Sequence, residues 1–316
     1  MVRLDLELTL EYEIRGSDGA DFVFNIHAAQ TPQQTVDDER LELSQPVVPE
    51  ILTDAATDTR FMRLHAAPGP LRIGYAAKVN VAHHFADPDT LAEVPVRRLP
   101  LDVVPYIYPS RYCQSDRLLK LAWDEFGHLC PGYSRVLAIQ HWVQQHVTFA
   151  SNTTDSTTSA VDTLIERVGV CRDFTHLMIA LCRALSIPAR IATGTDYGAR
   201  PSLGPPDFHA YVEVYLDRCW YLFDASGTGI PMGFMRFGTG RDAADVAFAT
   251  IFGDVLTSAP RIEMRAVEGD GLETPHHRRE AMSTAGGCAP LGAPEGPGEG
   301  SSLALAAAGV VKQLPD

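Results

Sequence analysis

Leucine alternates with polar residues at the start of the chain. Leu4, Leu6, Leu8 and Leu10 are interleaved with Asp5, Glu7, Thr9 and Glu11. A period of two predicts a strand over residues 3–13 with one buried face. Further strand-like runs at 22–27, 47–52, 61–64 and 71–81 lie between Gly, Pro and Asp breaks. No helical period stands out before about residue 100. Residues 1–104 therefore read as an all-β domain, a small sandwich.

The pattern changes after a proline-punctuated connection at 100–109. Residues 115–126 and 135–146 have helical spacing, and 160–167 form a shorter helix. Residues 171–185 are apolar nearly all round: Phe174, Leu177, Met178, Ile179, Leu181, Cys182 and Leu185, with Pro188 just past the end. A helix of that kind belongs in the middle of a domain. Strands follow at 190–195, 208–216 and 219–224, with a weaker one at 261–266. Residues 105–267 thus read as a second, mixed unit. Residues 268–316, rich in Gly, Pro, Ala and Glu, read as a disordered tail. Its apolar island, "LALAAAGVV", either docks on the domain or frays.

Composition narrows the function. The 316 residues are 45% hydrophobic, enough for a sizeable core, and the net charge is −14. An acidic chain argues against a nucleic-acid partner, which calls for a basic patch. No apolar stretch reaches the roughly 20 residues a bilayer requires, so no membrane partner is expected. The N-terminus lacks the unbroken apolar core of a signal peptide, which points to the cytoplasm. The six cysteines are too few for a disulfide scaffold and read as thiols. Cys113, Cys130 and Cys182 fit packed core positions. Asn152-Thr-Thr matches the glycosylation pattern by chance. "GTGRDAAD" imitates a dinucleotide fingerprint without the surrounding βαβ unit. His83-His84 and His276-His277 lack spaced partners, so no metal is expected. Oligomeric state is not legible.

Cys171 stands apart. It follows Gly169-Val170 and opens the most apolar helix. A helix N-terminus favours a thiolate, and its free backbone N–H groups can receive an oxyanion. Downstream, residues 208–216 alternate, with His209, Tyr211, Glu213 and Tyr215 on one face. Asp217-Arg218 has the length of a two-residue hairpin turn. If Leu216 faces Cys219, Tyr211 faces Asp224, and His209 is the diagonal neighbour of Asp224, roughly 7–8 Å away at the backbone. A carboxylate there can fix the imidazole tautomer and leave the other ring nitrogen for a thiol. His176 is five residues from Cys171, the wrong spacing for one helix face; it caps, packs or meets Asp173. Asp207 could line a substrate cleft, and Trp220 and Tyr211 could wall it or simply pack.

The stretches "SAVDTLIERVGVCRDFTHLMIALCRALSIPARIATG", "DFHAYVEVYL" and "WYLFDASG" resemble the transglutaminase-like superfamily, in particular its bacterial members regarded as cysteine proteases. The resemblance runs from about residue 105 to 255, and the first 100 residues fit the β domain that precedes this core. It implies an α+β, papain-like core: a central helix bearing Cys171, packed on an antiparallel sheet bearing His209 and Asp224. It also implies Cys171 as nucleophile, His209 as general base and acid, and Asp224 as the orienting acid. Many relatives have proline after the aspartate, where this chain has Ala225. No motif identifies the second oxyanion donor; Asn152 is in about the right place. The expected chemistry is acyl transfer on a peptide or protein amide through a thioester, with hydrolysis favoured over transamidation and no cofactor. The alternative is a non-catalytic peptide- or protein-binding module retaining the fold, against which the intact Cys, His and Asp argue.

Overall fold

The computed structural model describes residues 1–198, 207–286 and 288. The chain opens with β1 (Val2–Ile14), β2 (Ala20–Phe24), β3 (Gln34–Leu43), β4 (Glu50–Thr53), β5 (Arg60–Ala66) and β6 (Gly69–Val81). The alternation of β1 translates directly into burial: Val2, Leu4, Leu6, Leu8, Leu10, Tyr12 and Ile14 are all inside. β1 runs antiparallel to β6 along their whole length, Val2 opposite Val81 and Ile14 opposite Gly69. The opposing sheet contributes Phe22, Phe24, Met62 and Leu64. Tyr12, Phe22 and Phe24 form an aromatic cluster between the sheets, with ring centroids 5.2–5.8 Å apart, a favourable range for such pairs. β3 escapes the pattern because "VDDERLE" is charged. It is an edge strand beside β6, where charge also guards against edge-to-edge pairing.

The second unit holds β7 (His84–Ala86), α1 (Leu119–Phe126), α2 (Tyr133–His146), β8 (Thr148–Phe149), α3 (Ala160–Glu166), β9 (Val168–Gly169), α4 (Cys171–Ala184), β10 (Ala189–Asp196), β11 (Phe208–Leu216), β12 (Cys219–Phe223), β13 (Phe234–Gly240) and α5 (Ala243–Val246). α1 is shorter than the expected helix because residues 115–117 form a separate 3₁₀ turn. α4 is the axis. All its residues from Asp173 to Ala184 are buried, and it packs on the sheet β12-β11-β10-β13. Thr175 Oγ1 donates to the Ala210 carbonyl at 3.1 Å, fixing helix to strand. Leu177, Met178 and Leu181 share one core with Val212 and Val214 of β11. The β11–β12 hairpin has the register its length predicts, Leu216 opposite Cys219 and Val212 opposite Phe223. Both turn residues, Asp217 and Arg218, have positive φ (44° and 68°), as a tight two-residue turn between twisted strands requires.

Three expectations are corrected. First, the core does not extend to residue 267. β14 (Ala249–Phe252) pairs with β2, while β15 (Val255–Thr257) and β16 (Arg261–Ala266) pair with β1. These strands complete the sandwich, because β1 and β2 have free edges to fill. Second, the segment from 268 onward is not wholly a tail. β17 (Ala281–Ser283) pairs with β7, and Ala281, Met282, Ser283 and Thr284 are buried. Thr284 Oγ1 accepts a hydrogen bond from Arg236 Nη2 at 2.8 Å. The island "LALAAAGVV" lies outside the described residues. Third, this segment carries Cys288 to Cys219, and the two form a disulfide. His84 lies beside them, with all three donor atoms within 4.8 Å of one another. A bonded pair of sulfurs offers a metal no thiolate. Cys113 and Cys182 are buried as expected, but Cys130 is exposed, in the loop between α1 and α2.

A chain ending at Gly269 loses the β17 seam. Burying a side chain such as Met282 is worth about 1.5–3 kcal/mol, so the truncated protein should melt about 3 °C or more lower in a calorimetric scan. An unchanged midpoint would show that the seam adds nothing to stability. Among the described residues, no helix is long and apolar enough to cross a membrane.

Candidate active site

The short parallel pair of β8 and β9 sets Gly169 opposite Phe149 just before α4 begins. A side chain at Gly169 would meet the Cβ of Asp173 at 2.8 Å, so the close approach of the first helical turn demands glycine here. Asp173 is fully buried and ties this turn together. Its Oδ2 accepts from the Val170 backbone N–H at 2.9 Å and from Thr154 Oγ1 at 2.7 Å. Its Oδ1 accepts from Arg172 Nε and Nη2 at 3.0 and 2.8 Å. Cys171 is thereby fixed at the first helical position, half-buried, with Sγ 3.8 Å from the carbonyl oxygen of Phe208.

β11 brings His209 to the same place. Its Nε2 stands 3.6 Å from Asp224 Oδ1, and both side chains are 8% exposed. That spacing is longer than a formed hydrogen bond, and such contacts often tighten only when substrate binds. Burial opposes a charge on His209. The Asp224 carboxylate and the Cys171 sulfur outweigh it, and hold the imidazole pKa well above the ordinary histidine value. Burial likewise pushes the Asp224 carboxyl up, but His209 and the surrounding donors bring its pKa below the ordinary value. Those donors are well placed. Oδ1 accepts from the Ser226 N–H and hydroxyl at 3.0 and 2.7 Å, and Oδ2 from the Gly229 N–H at 2.8 Å. The Asp224 backbone carbonyl accepts from Gln144 Nε2 at 3.0 Å. The turn after Asp224 thus works with Ala225 in place of the common proline.

Sequence reasoning missed Asp196, at the end of β10. It is buried under His209 and Tyr211, accepting from the Tyr211 hydroxyl and from the Ile230 N–H at 3.1 Å. Burial raises its pKa to about 7. Gly229 passes so close that a Cβ there would lie 2.1 Å from Asp196 Oδ2. Nothing local in "ATGTDYG" marks this carboxyl; its surroundings come from β11 and from the loop after Asp224.

A cavity of about 700 Å³ opens over Cys171 and His209, with Asn152, Asp207, Phe208 and Phe248 in its walls. Asp207 lines the cleft, as one of its two readings anticipated. Asn152 also lines it, in the left-handed backbone region with φ 60°. Trp220 is elsewhere: it packs against Tyr106 and Tyr215 near the far end of β11. Tyr211 is fully buried beside His209, ring centroids 4.7 Å apart. His176 packs: its ring stacks on Tyr112 at 4.9 Å, and its Nε2 accepts from the Ala243 N–H at 3.2 Å. Burial lowers its pKa to about 4, so it is neutral near pH 7.

The fold has counterparts among known proteins. Residues 126–225 match the transglutaminase-like superfamily core, and residues 2–102 match the bacterial transglutaminase N-terminal domain. The chain belongs to the transglutaminase-like superfamily. A solved structure from Cytophaga hutchinsonii, described as a putative cysteine protease, is 40% identical and superposes with a TM-score of 0.83. The match covers 89% of this chain and 97% of that one. An uncharacterized protein of Mycobacterium leprae is 28% identical over 116 residues, or 35% of this chain. That match spans 42% of the relative's own length.

Proposed function

We propose that this chain is a cysteine-nucleophile acyl-transfer enzyme acting on peptide or protein amides, with water as the usual acceptor. The observation that carries the proposal is the shared cleft: Cys171 at the start of α4, beside His209, with buried Asp224 3.6 Å from the far ring nitrogen. The Cys171 sulfur, as thiolate, attacks the amide carbon. The Cys171 backbone N–H, which has no intrahelical partner at the first helical position, receives the developing oxyanion; Asn152 is the candidate second donor. His209 gives its proton to the departing amine, leaving a thioester on Cys171. His209 then takes a proton from water, whose oxygen attacks the thioester carbon; the C–S bond breaks, the Cys171 thiolate leaves and the acid is released. An amine in place of water gives the transamidated product. Asp224 keeps one ring nitrogen occupied, so Nδ1 serves the sulfur.

Limited alkylation followed by peptide mass mapping tests this reading. Cys113 and Cys182 are buried, and burial raises both of their pKa values. Cys219 and Cys288 are bonded to each other. Exposed Cys130 is the competitor. An imidazolium neighbour promotes thiolate reactivity, so iodoacetamide near pH 6, roughly two units below the free-thiol value, should label Cys171 first. Loss of turnover should track that adduct, and His209→Ala should slow the labelling. The proposal fails if Cys130 reacts as fast as Cys171 and His209→Ala makes no difference. Mass analysis after incubation with a peptide amide, with and without a primary amine, then reads out the acceptor.

A further inference from the structure

A second cavity, of about 360 Å³, lies where the sandwich, the core sheet and the C-terminal segment meet. Its walls include Thr31 from the sandwich and Arg190, Trp220, Arg236 and Thr239 from the core. It lies toward the other end of β11 from the cleft. Glu213, beneath it, is four residues from His209, roughly 13 Å along a strand.

Glu213 is fully buried and shared by two guanidinium groups. Arg190 Nε donates to Oε2 at 2.7 Å, and Arg236 Nη2 donates to Oε1. These two arginines bring two positive charges to one carboxylate, so the cluster keeps one net positive charge. Arg236 is 1% exposed and Arg190 9%. A buried charge without a counter-ion is costly, and so is a buried donor without an acceptor. Arg236 has its counter-ion in Glu213 but shows the second condition. Nη2 is used on Glu213 and Thr284, whereas Nε and Nη1 are buried without a hydrogen-bond partner. The Thr239 hydroxyl, lining the same cavity, is buried and unpartnered too. Arg190 lies over Trp220, its central carbon 4.2 Å from the ring centroid, which fixes the plane of its guanidinium. Asp58, Asp102 and Arg218 also line the cavity; neither aspartate accepts a hydrogen bond from Arg190 or Arg236.

We propose that this cavity is an oxyanion-binding site, taking a phosphate, sulfate or carboxylate group against Arg236, Arg190 and Thr239. Arg236 Nε and Nη1 lie on different edges of the guanidinium, so each offers such a group a single charge-assisted donor. The bound anion supplies the missing acceptors for Arg236 and Thr239. Because Thr31 belongs to the sandwich and the arginines to the core, the ligand also fastens one unit to the other. Occupancy therefore reads out as stability of the whole chain.

The test uses the full chain, with calorimetric titration and melting curves in sodium phosphate, sulfate and citrate. Sodium chloride at matched ionic strength is the control. At least one oxyanion should bind saturably, one per chain, and raise the melting temperature. Phosphate or sulfate acting alone identifies an inorganic anion; citrate acting alone identifies an organic carboxylate. Thr239→Val and Arg236→Lys should each weaken binding about tenfold or more, while the lysine keeps the charge. If Arg236→Lys does not fold, Thr239→Val decides. Binding no better than chloride overturns the proposal, as does an affinity unchanged in the folded variants.

Discussion

Cys171→Ala should lower turnover of any amide substrate by at least about a thousandfold, since in the proposed mechanism Cys171 alone forms the covalent intermediate. The same substitution should leave the fold alone. Cys171 is half-buried at the first helical position, its Sγ makes one long contact to the Phe208 carbonyl, and alanine is the best helix former. The change in unfolding free energy should stay within about 1 kcal/mol. Turnover by single-turnover kinetics and stability by urea unfolding therefore separate cleanly. Residual activity above a few per cent in a preparation free of wild-type protein would remove Cys171 from the chemistry. A large loss of stability would instead mark it as a structural thiol.

The second large effect concerns Asp224. Asparagine keeps its shape and an acceptor for the Ser226 or Gly229 donors, but removes the charge facing His209. Turnover should fall ~10²–10⁴-fold, as when a general acid–base group loses its orienting partner. The pH profile distinguishes this from a packing defect. Asp224 helps to hold the His209 pKa well above its ordinary value. The alkaline limb of the wild-type profile, where His209 loses its proton, should therefore lie well above pH 6.5. In Asp224→Asn that support is gone, and the limb should move to lower pH. The linked stability has the same sign: the His209 contribution is present below its unfolded pKa and disappears as pH rises through the folded one. A twofold change in rate with an unmoved limb would make Asp224 merely structural.

Where the sequence could be read, the cause was local. β1 alternates without a break, so burial follows from pattern alone. The β11–β12 register follows from counting across a two-residue turn, and that count carries His209 to Asp224. α4 is apolar nearly all round, so its central position needs no further information. The resemblance added the roles of Cys171, His209 and Asp224 to that local reading. The misreadings are non-local. β14, β15 and β16 have no periodicity that says which sheet they join; the open edges of β1 and β2 decide. β3 is too charged to look like a strand, and edge strands tolerate charge. Cys288 sits in a Gly- and Pro-rich stretch, and only the path of the C-terminal segment brings it to Cys219. Asp196 is equally invisible, because its burial is supplied by Tyr211, Gly229 and Ile230 from other segments.

The pairing of β16 and β15 with β1 has a consequence during synthesis. When residue 81 leaves the ribosome, β1 can pair with β6, but the strands for its other edge have not yet been made. About 185 further residues must follow before β16 is complete (266 − 81 = 185). At typical elongation rates that is roughly 10–40 s. Throughout that interval the nascent sandwich presents the full-length backbone edge of β1. The core emerges meanwhile, tethered between the two halves of the sheet it interrupts. Association of neighbouring nascent chains through β1 is the misassembly that this chain order most exposes, and slower translation would prolong the exposure.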